Sequence, residues 1–172
     1  MYVPGNHDAY VGHRRNRMVL ERTCLELNGF ERDAFPCERI FGDVRFFMVD
    51  AAAPMPPWKS AGNVTDDAMR RLDAMLSRRR EDDERRIMVC HFPLYKYDGG
   101  GLGWRRRISV ERELRRWAAE GRFDVLLCGH LHKPFIWREG GLTQVCAGSM
   151  TLSRRVAVID IDEKTECKFI EI

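Results

Sequence analysis

Three short segments place metal-capable or proton-transferring side chains directly after an apolar run: Gly5-Asn6-His7-Asp8, Cys90-His91-Phe92-Pro93 and Gly129-His130-Leu131-His132. Sites in open α/β sheets lie at such strand ends. Read as extended chain, residues two apart point the same way. His130 and His132 are then expected to face one pocket and to serve two adjacent metals, while the neighbours Asn6 and His7 diverge. Neutral imidazole suits Zn, Fe and similar ions, and an amide oxygen is a harder ligand. Asn6, His91 and His130 together thus read as a mixed N/O site for a borderline divalent metal. The chemistry such sites favour is hydrolysis: two ions about 3.5–4 Å apart generate hydroxide at neutral pH and stabilise both oxygens of an in-line phosphoryl displacement. His7, turned away from the metal, is available to protonate the leaving oxygen, with Asp8 fixing its tautomer. Taken singly, each segment has a plainer explanation as a turn or a structural histidine. Three in this order, each after an apolar run, are not accounted for by turns and core packing.

A further stretch follows the His91 segment. Asp98–Gly103 reads as a flexible loop ending in Trp104-Arg105-Arg106-Arg107. It is expected either to be a solvated connection or to be a lid whose Arg105, Arg106 and Arg107 bind substrate phosphate. Only five of the 29 basic residues are Lys, and the arginines cluster at Arg78–Arg80, Arg85–Arg86, Arg105–Arg107 and Arg115–Arg116. Such clusters are expected mainly on solvated faces. His13, in Gly12-His13-Arg14-Arg15, has no paired ligand spacing and is expected to be exposed.

The elements that must position these residues follow from pattern. Tyr2–Pro4 reads as a strand end, and Arg14–Leu27, with Met18, Leu20, Leu25 and Leu27, as a helix stopped by Asn28-Gly29. Glu38–Phe41 and Arg45–Val49 flank Gly42-Asp43 as a hairpin. Thr65 caps a helix predicted from Asp66 to about Arg80, its basic end complementing the helix dipole. Ile87–Cys90 and Phe123–Cys128 read as buried strands. Between them Ser109 caps a helix that buries Leu114, Trp117 and Ala118 and stops at Gly121. Phe135–Trp137, Thr143–Cys146, Val156–Ile161 and Cys167–Ile172 are short strands without helices, a β-meander.

A chain of 172 residues, 44% hydrophobic and 32% charged, reads as one α/β domain over residues 1–172 with a sizeable core. The net charge of +3 is too small to imply nucleic acid. No run of about 18 apolar residues exists to span a bilayer and the N-terminus lacks signal-peptide order, so a cytoplasmic location is expected. The six scattered cysteines are expected to be reduced, with Cys90 and Cys128 in the core.

The three segments resemble the later motifs of the calcineurin-like metallophosphoesterase superfamily, and the likeness runs from Tyr2-Val3-Pro4 to Cys146-Ala147-Gly148-Ser149. It implies a β-sandwich flanked by helices and metal-dependent hydrolysis of a phosphomonoester or phosphodiester by metal-bound hydroxide. It also implies two divalent ions, Mn, Fe, Zn or Ni, in a complete domain. Asn6, His91 and His130 would bind one ion, His132 the other, and His7 would be the general acid. The family's Asp-x-His and Gly-Asp-x-x-Asp segments do not precede Gly5, so the first β-α-β elements and the bridging carboxylate are unaccounted for. Gly42-Asp43 is no substitute, since Phe46 stands three residues on; Asp50 is a substitute ligand or a strand-terminating turn. The expectation is then at most one well-formed metal site, weak or no activity of the chain alone, and an open sheet edge that self-associates or takes up a missing segment. The alternative is a non-catalytic metal-binding or protein-interaction scaffold of the same fold.

Overall fold

The computed structural model describes residues 1–9, 14–161 and 165–172, so His13 lies outside the described residues. The strands are β1 (Cys37–Phe41), β2 (Val44–Val49), β3 (Arg85–Cys90), β4 (Val125–Cys128), β5 (Phe135–Glu139), β6 (Leu142–Cys146), β7 (Arg155–Ile161) and β8 (Thr165–Glu171). Six form one mixed sheet in the order β1-β2-β3-β4-β6-β5; β7 and β8 form a separate antiparallel pair. The expected closing meander is thus divided between two sheets, and what stands beside the main sheet is a two-stranded ribbon. β2, β3, β4 and β6 run parallel in register, with Val49 beside Cys90 and Cys128 beside Cys146. This alignment brings the segments that follow β3 and β4 to the same carboxyl end of the sheet, where His91 and His130 emerge.

Alternation along these strands divides the apolar side chains between two layers. On one face Phe47, Met88 and Leu126 pack against Leu72 and Leu76 of α3 (Asp66–Leu76) and Leu114 and Trp117 of α4 (Glu111–Ala119). On the other, Met48 and Val89 meet Tyr2, Val3 and α2 (Arg14–Asn28) through its Leu20 and Cys24. Only that side of the helix is packed: Met18, Leu25 and Leu27, which helped to mark the helical pattern in the sequence, are exposed. Leu20 and Cys24 are one turn apart, and Met18 and Leu25 project from the opposite side.

Several local expectations are corrected. Tyr2–Pro4 belongs to no strand; the Asn28 side chain takes the place of a neighbouring strand, accepting from Tyr2 N–H at 2.7 Å and donating to Tyr2 C=O at 2.8 Å. Thr65 caps α3 through Ala68 N–H as expected, but the helix stops at Leu76. Its terminal carbonyls are held by Arg86, which donates to Leu76 C=O and Arg78 C=O, each at 2.9 Å. Arg86 is therefore buried, contrary to the expectation of a solvated cluster, and pairs with buried Glu84 at 2.5 Å. Ser109 does not cap α4; its hydroxyl accepts from Val64 N–H and ties two loops together. The strand bearing His91 is not at an open edge, since β3 is paired on both sides and the edges are β1 and β5. All six cysteines are free, four of them buried.

Breaking one side of a buried ion pair leaves an uncompensated charge, whereas an exposed i,i+4 pair contributes little. Arg86→Ala is expected to destabilise the chain by about 3–5 kcal/mol in urea unfolding. Arg22→Ala, from the exposed Arg22–Glu26 pair, is expected to leave it nearly unchanged.

Candidate metal centre

The site is assembled around a one-turn helix, α1 (Asn6–Ala9), that opens directly after Gly5. Gly5 N–H donates to Asp8 Oδ2 at 2.7 Å while Asp8 N–H returns to Gly5 C=O at 3.1 Å, so the turn is fastened at both ends. The hydroxyl of Tyr2 also reaches the Asp8 carboxylate; burial first, then that carboxylate, pushes the Tyr2 phenol well up. Ala9 is buried in the Leu20–Cys24 layer and anchors the turn. A Cβ on Gly5 would lie 2.8 Å from Cε1 and 2.9 Å from Nδ1 of His91, so glycine is required for the chain to pass against this imidazole.

Asn6, 2% exposed, turns its Oδ1 toward both strand-end imidazoles, 2.8 Å from His91 Nε2 and 3.1 Å from His130 Nδ1. The two rings lie 5.3 Å apart between centroids at 77°. His130 and His132 are not in extended chain. Both have left-handed backbone, φ 68° and 57°, and Leu131 N–H closes a tight turn on Gly129 C=O at 2.8 Å. Left-handed conformations are uncommon for residues other than glycine and tend to cluster at functional sites. The turn still brings His130 and His132 to one cavity of about 170 Å³, shared with Asn6, His7, Ser60, Arg106 and Leu131. The His7 and His132 rings stand 6.0 Å apart, and both residues are exposed.

Burial, more than any neighbouring charge, lowers the His91 pKa to about 4 and the His130 pKa to about 3; for His130 the nearby His91 adds to the effect. Both imidazoles are neutral at physiological pH, the form that offers a lone pair. Among the described residues His130 Nε2 is buried and makes no hydrogen bond of good geometry.

Of Arg105–Arg107 only Arg106 borders the cavity. The reason lies in the backbone: Ser60 N–H bonds Arg105 C=O and Gly62 N–H bonds Arg107 C=O, so two loop segments pair alongside each other and Arg106 falls between the paired positions. The Arg105 guanidinium lies over the Trp104 ring at 5.1 Å. Ser60 and Leu131 escaped the sequence reading, because only this pairing and the His130 turn bring them to the cavity. Gly62 lets the strap close down, since a Cβ there would lie 2.6 Å from the Phe92 ring. The segment after His91 is fixed from β6: fully buried Gln144 accepts Leu94 N–H and Tyr95 N–H through Oε1 and donates to Tyr95 C=O, while Arg115 bonds Leu94 C=O. Asp50 makes a strand-terminating turn, Oδ1 accepting Ala52 N–H at 2.8 Å, and pairs with Arg32 at 2.5 Å.

The model of one protein family, calcineurin-like phosphoesterase, matches residues 1–134, a span that takes in all three histidine-bearing segments. The chain belongs to that family. No curated protein matches it. Calcineurin-like phosphoesterases bind divalent metal ions and act on phosphate esters. No helix among the described residues is long and apolar enough to cross a membrane.

The donors of this phosphoesterase chain fit one ion better than two. Two ligands at right angles on an ion with bonds of about 2.1 Å are about 3 Å apart, comparable to the 2.8 and 3.1 Å between the Asn6 oxygen and the two ring nitrogens. Among the described residues no three His, Cys, Asp or Glu side chains stand together as a metal-holding group. An amide with two imidazoles is what converges.

For metal-free protein the sign of the pH effect follows from the lowered pKa values. Between about pH 6.5 and pH 4 the unfolded chain binds protons at His91 and His130 that the folded chain does not. Melting temperature is expected to be steady above pH 6.5 and to fall as pH drops through that window, with a shallower slope in His130→Asn. Gly5→Ala is expected to leave circular dichroism unchanged while weakening Mn²⁺ binding at least about tenfold by calorimetry, because the methyl group must push the His91 ring aside.

Proposed function

We propose that this chain is a metal-dependent phosphoesterase that hydrolyses a phosphomonoester or phosphodiester. The observation that most supports the reading is the single Asn6 oxygen lying 2.8 Å and 3.1 Å from two buried, neutral imidazoles. Asn6, His91 and His130 would hold one divalent ion, Mn, Fe, Zn or Ni, and His132 would offer one donor to a second. When bound, such ions stabilise charge on the phosphoryl oxygens and activate water at neutral pH. The protein's own groups complete the chemistry. Arg106, exposed on the cavity wall, is suited to bind non-bridging phosphate oxygens and Ser60 to donate a hydrogen bond to them. His7, exposed beside His132, is suited to protonate the leaving oxygen. Asp8, by fastening the turn that carries His7, sets where that imidazole can reach.

A second reading, a metal-binding scaffold without turnover, is favoured by one observation: no third His, Cys, Asp or Glu joins His91 and His130 among the described residues. A loosely held second ion and slow turnover are therefore expected.

The test is hydrolysis of bis-p-nitrophenyl phosphate with Mn²⁺, alongside metal content. Asn6→Ala and His91→Ala are expected to lose both metal and turnover. His7→Ala is expected to keep its metal and lose about 10²–10⁴ in kcat. Stoichiometric metal with no turnover by the wild-type chain would establish the scaffold instead.

A further inference from the structure

The turn that carries Arg106 also carries an aromatic ring that no core packing explains. Trp104 is 58% exposed, at the tip of a turn closed by Arg106 N–H and Arg107 N–H on Gly103 C=O at 2.8 and 3.1 Å. Two residues on, Arg106 lines the cavity. Lys59, which precedes the cavity residue Ser60, holds its ammonium 6.0 Å from the Trp104 ring centre, and the Arg105 guanidinium stands 5.1 Å from it. The backbone pairing of Ser60 with Arg105 at 2.9 Å joins the turn that carries the ring to the segment that carries Ser60, so the ring stands on the chain next to the cavity. An exposed indole loses favourable burial for no structural return, and its contacts with solvated cations are weaker than stacking on a planar base. Two cations beside the ring also match the charge of a phosphate carried on the ribose of that base.

Resting on the phosphoesterase reading, we propose that the substrate is a nucleoside phosphate, its purine or pyrimidine ring stacked on Trp104 and its phosphate directed into the His7–Arg106–His132 cavity. The ring is the specificity element; Lys59 and Arg105 move off its face when the base arrives and turn to the phosphate. The same chemistry is presented by a free nucleotide and by the phosphorylated end of a short strand.

The experiment compares AMP, ribose 5-phosphate and a 5′-phosphorylated adenine trinucleotide in two assays on the full chain: phosphate release with Mn²⁺, and binding to metal-free protein by quenching of tryptophan fluorescence and by calorimetry. AMP is expected to be preferred over ribose 5-phosphate by about fivefold to twentyfold. Trp104→Ala is expected to abolish that preference by changing KM rather than kcat, leaving ribose 5-phosphate unaffected, and Trp104→Phe to retain most of it. Preference for AMP over the trinucleotide assigns the free nucleotide, and the reverse assigns the strand end. If bis-p-nitrophenyl phosphate is left intact as well, the phosphoesterase reading fails; in that case, or where AMP and ribose 5-phosphate alone are not hydrolysed, the binding assay decides: AMP binding weakened by Trp104→Ala still supports the stacking site. Equal affinity for AMP and ribose 5-phosphate, or a preference unchanged in Trp104→Ala, overturns it.

Discussion

One amide oxygen gathers three distant parts of the chain. Asn6 lies 85 residues from His91 and 124 from His130, yet its Oδ1 is within hydrogen-bonding distance of both rings. Buried polar groups are costly unless partnered, so this contact constrains everything around it. The parallel register of β3 and β4 must deliver both histidines to one end of the sheet. Gly5 must lack a side chain, and α1 must begin where it does. Among the described residues the arrangement still leaves buried His130 Nε2 without a hydrogen bond of good geometry, a cost that the interior of a fold ordinarily avoids.

The convergence of His91 and His130 was legible because each follows an apolar run, and such ends are shared in a parallel sheet, whereas Asn6 reaches them from a segment that forms no strand. The conformation of the third segment was not. Alternation in an extended chain predicted that His130 and His132 would face the same way. They do reach one cavity, but through two left-handed residues and a tight turn, and nothing in the residue types Gly-His-Leu-His signals that backbone. Sequence spacing thus reached the right neighbourhood by a wrong route.

Other differences have a common origin in competition for partners over long sequence distances. Ser109 has the side chain of a helix cap, but Val64 N–H, 45 residues earlier, claims its hydroxyl. Arg78–Arg80 looked like the end of a helix, yet buried Arg86 takes the carbonyls that would have continued it. Local propensity is a weak prior against an interior guanidinium with two carbonyls in reach. The hairpin at Gly42-Asp43 was read correctly because its determinants are entirely local. Ser60 was invisible for the opposite reason, since its place depends on a backbone pairing with Arg105 that no side-chain pattern encodes.

Gln144 has a consequence for how this surface can change. Its amide, inside β6, pins the chain at Leu94 and Tyr95, and the pairing with residues 60 and 62 pins it again at Arg105 and Arg107. The stretch between those two fixed points is suspended from the sheet and not woven into it. Apart from buried Leu102 and from Gly99, which lies against Trp137, it can change while both attachment points, and with them the imidazoles below, keep their positions. A scaffold of this kind separates inheritance of the reactive centre from divergence of what it admits.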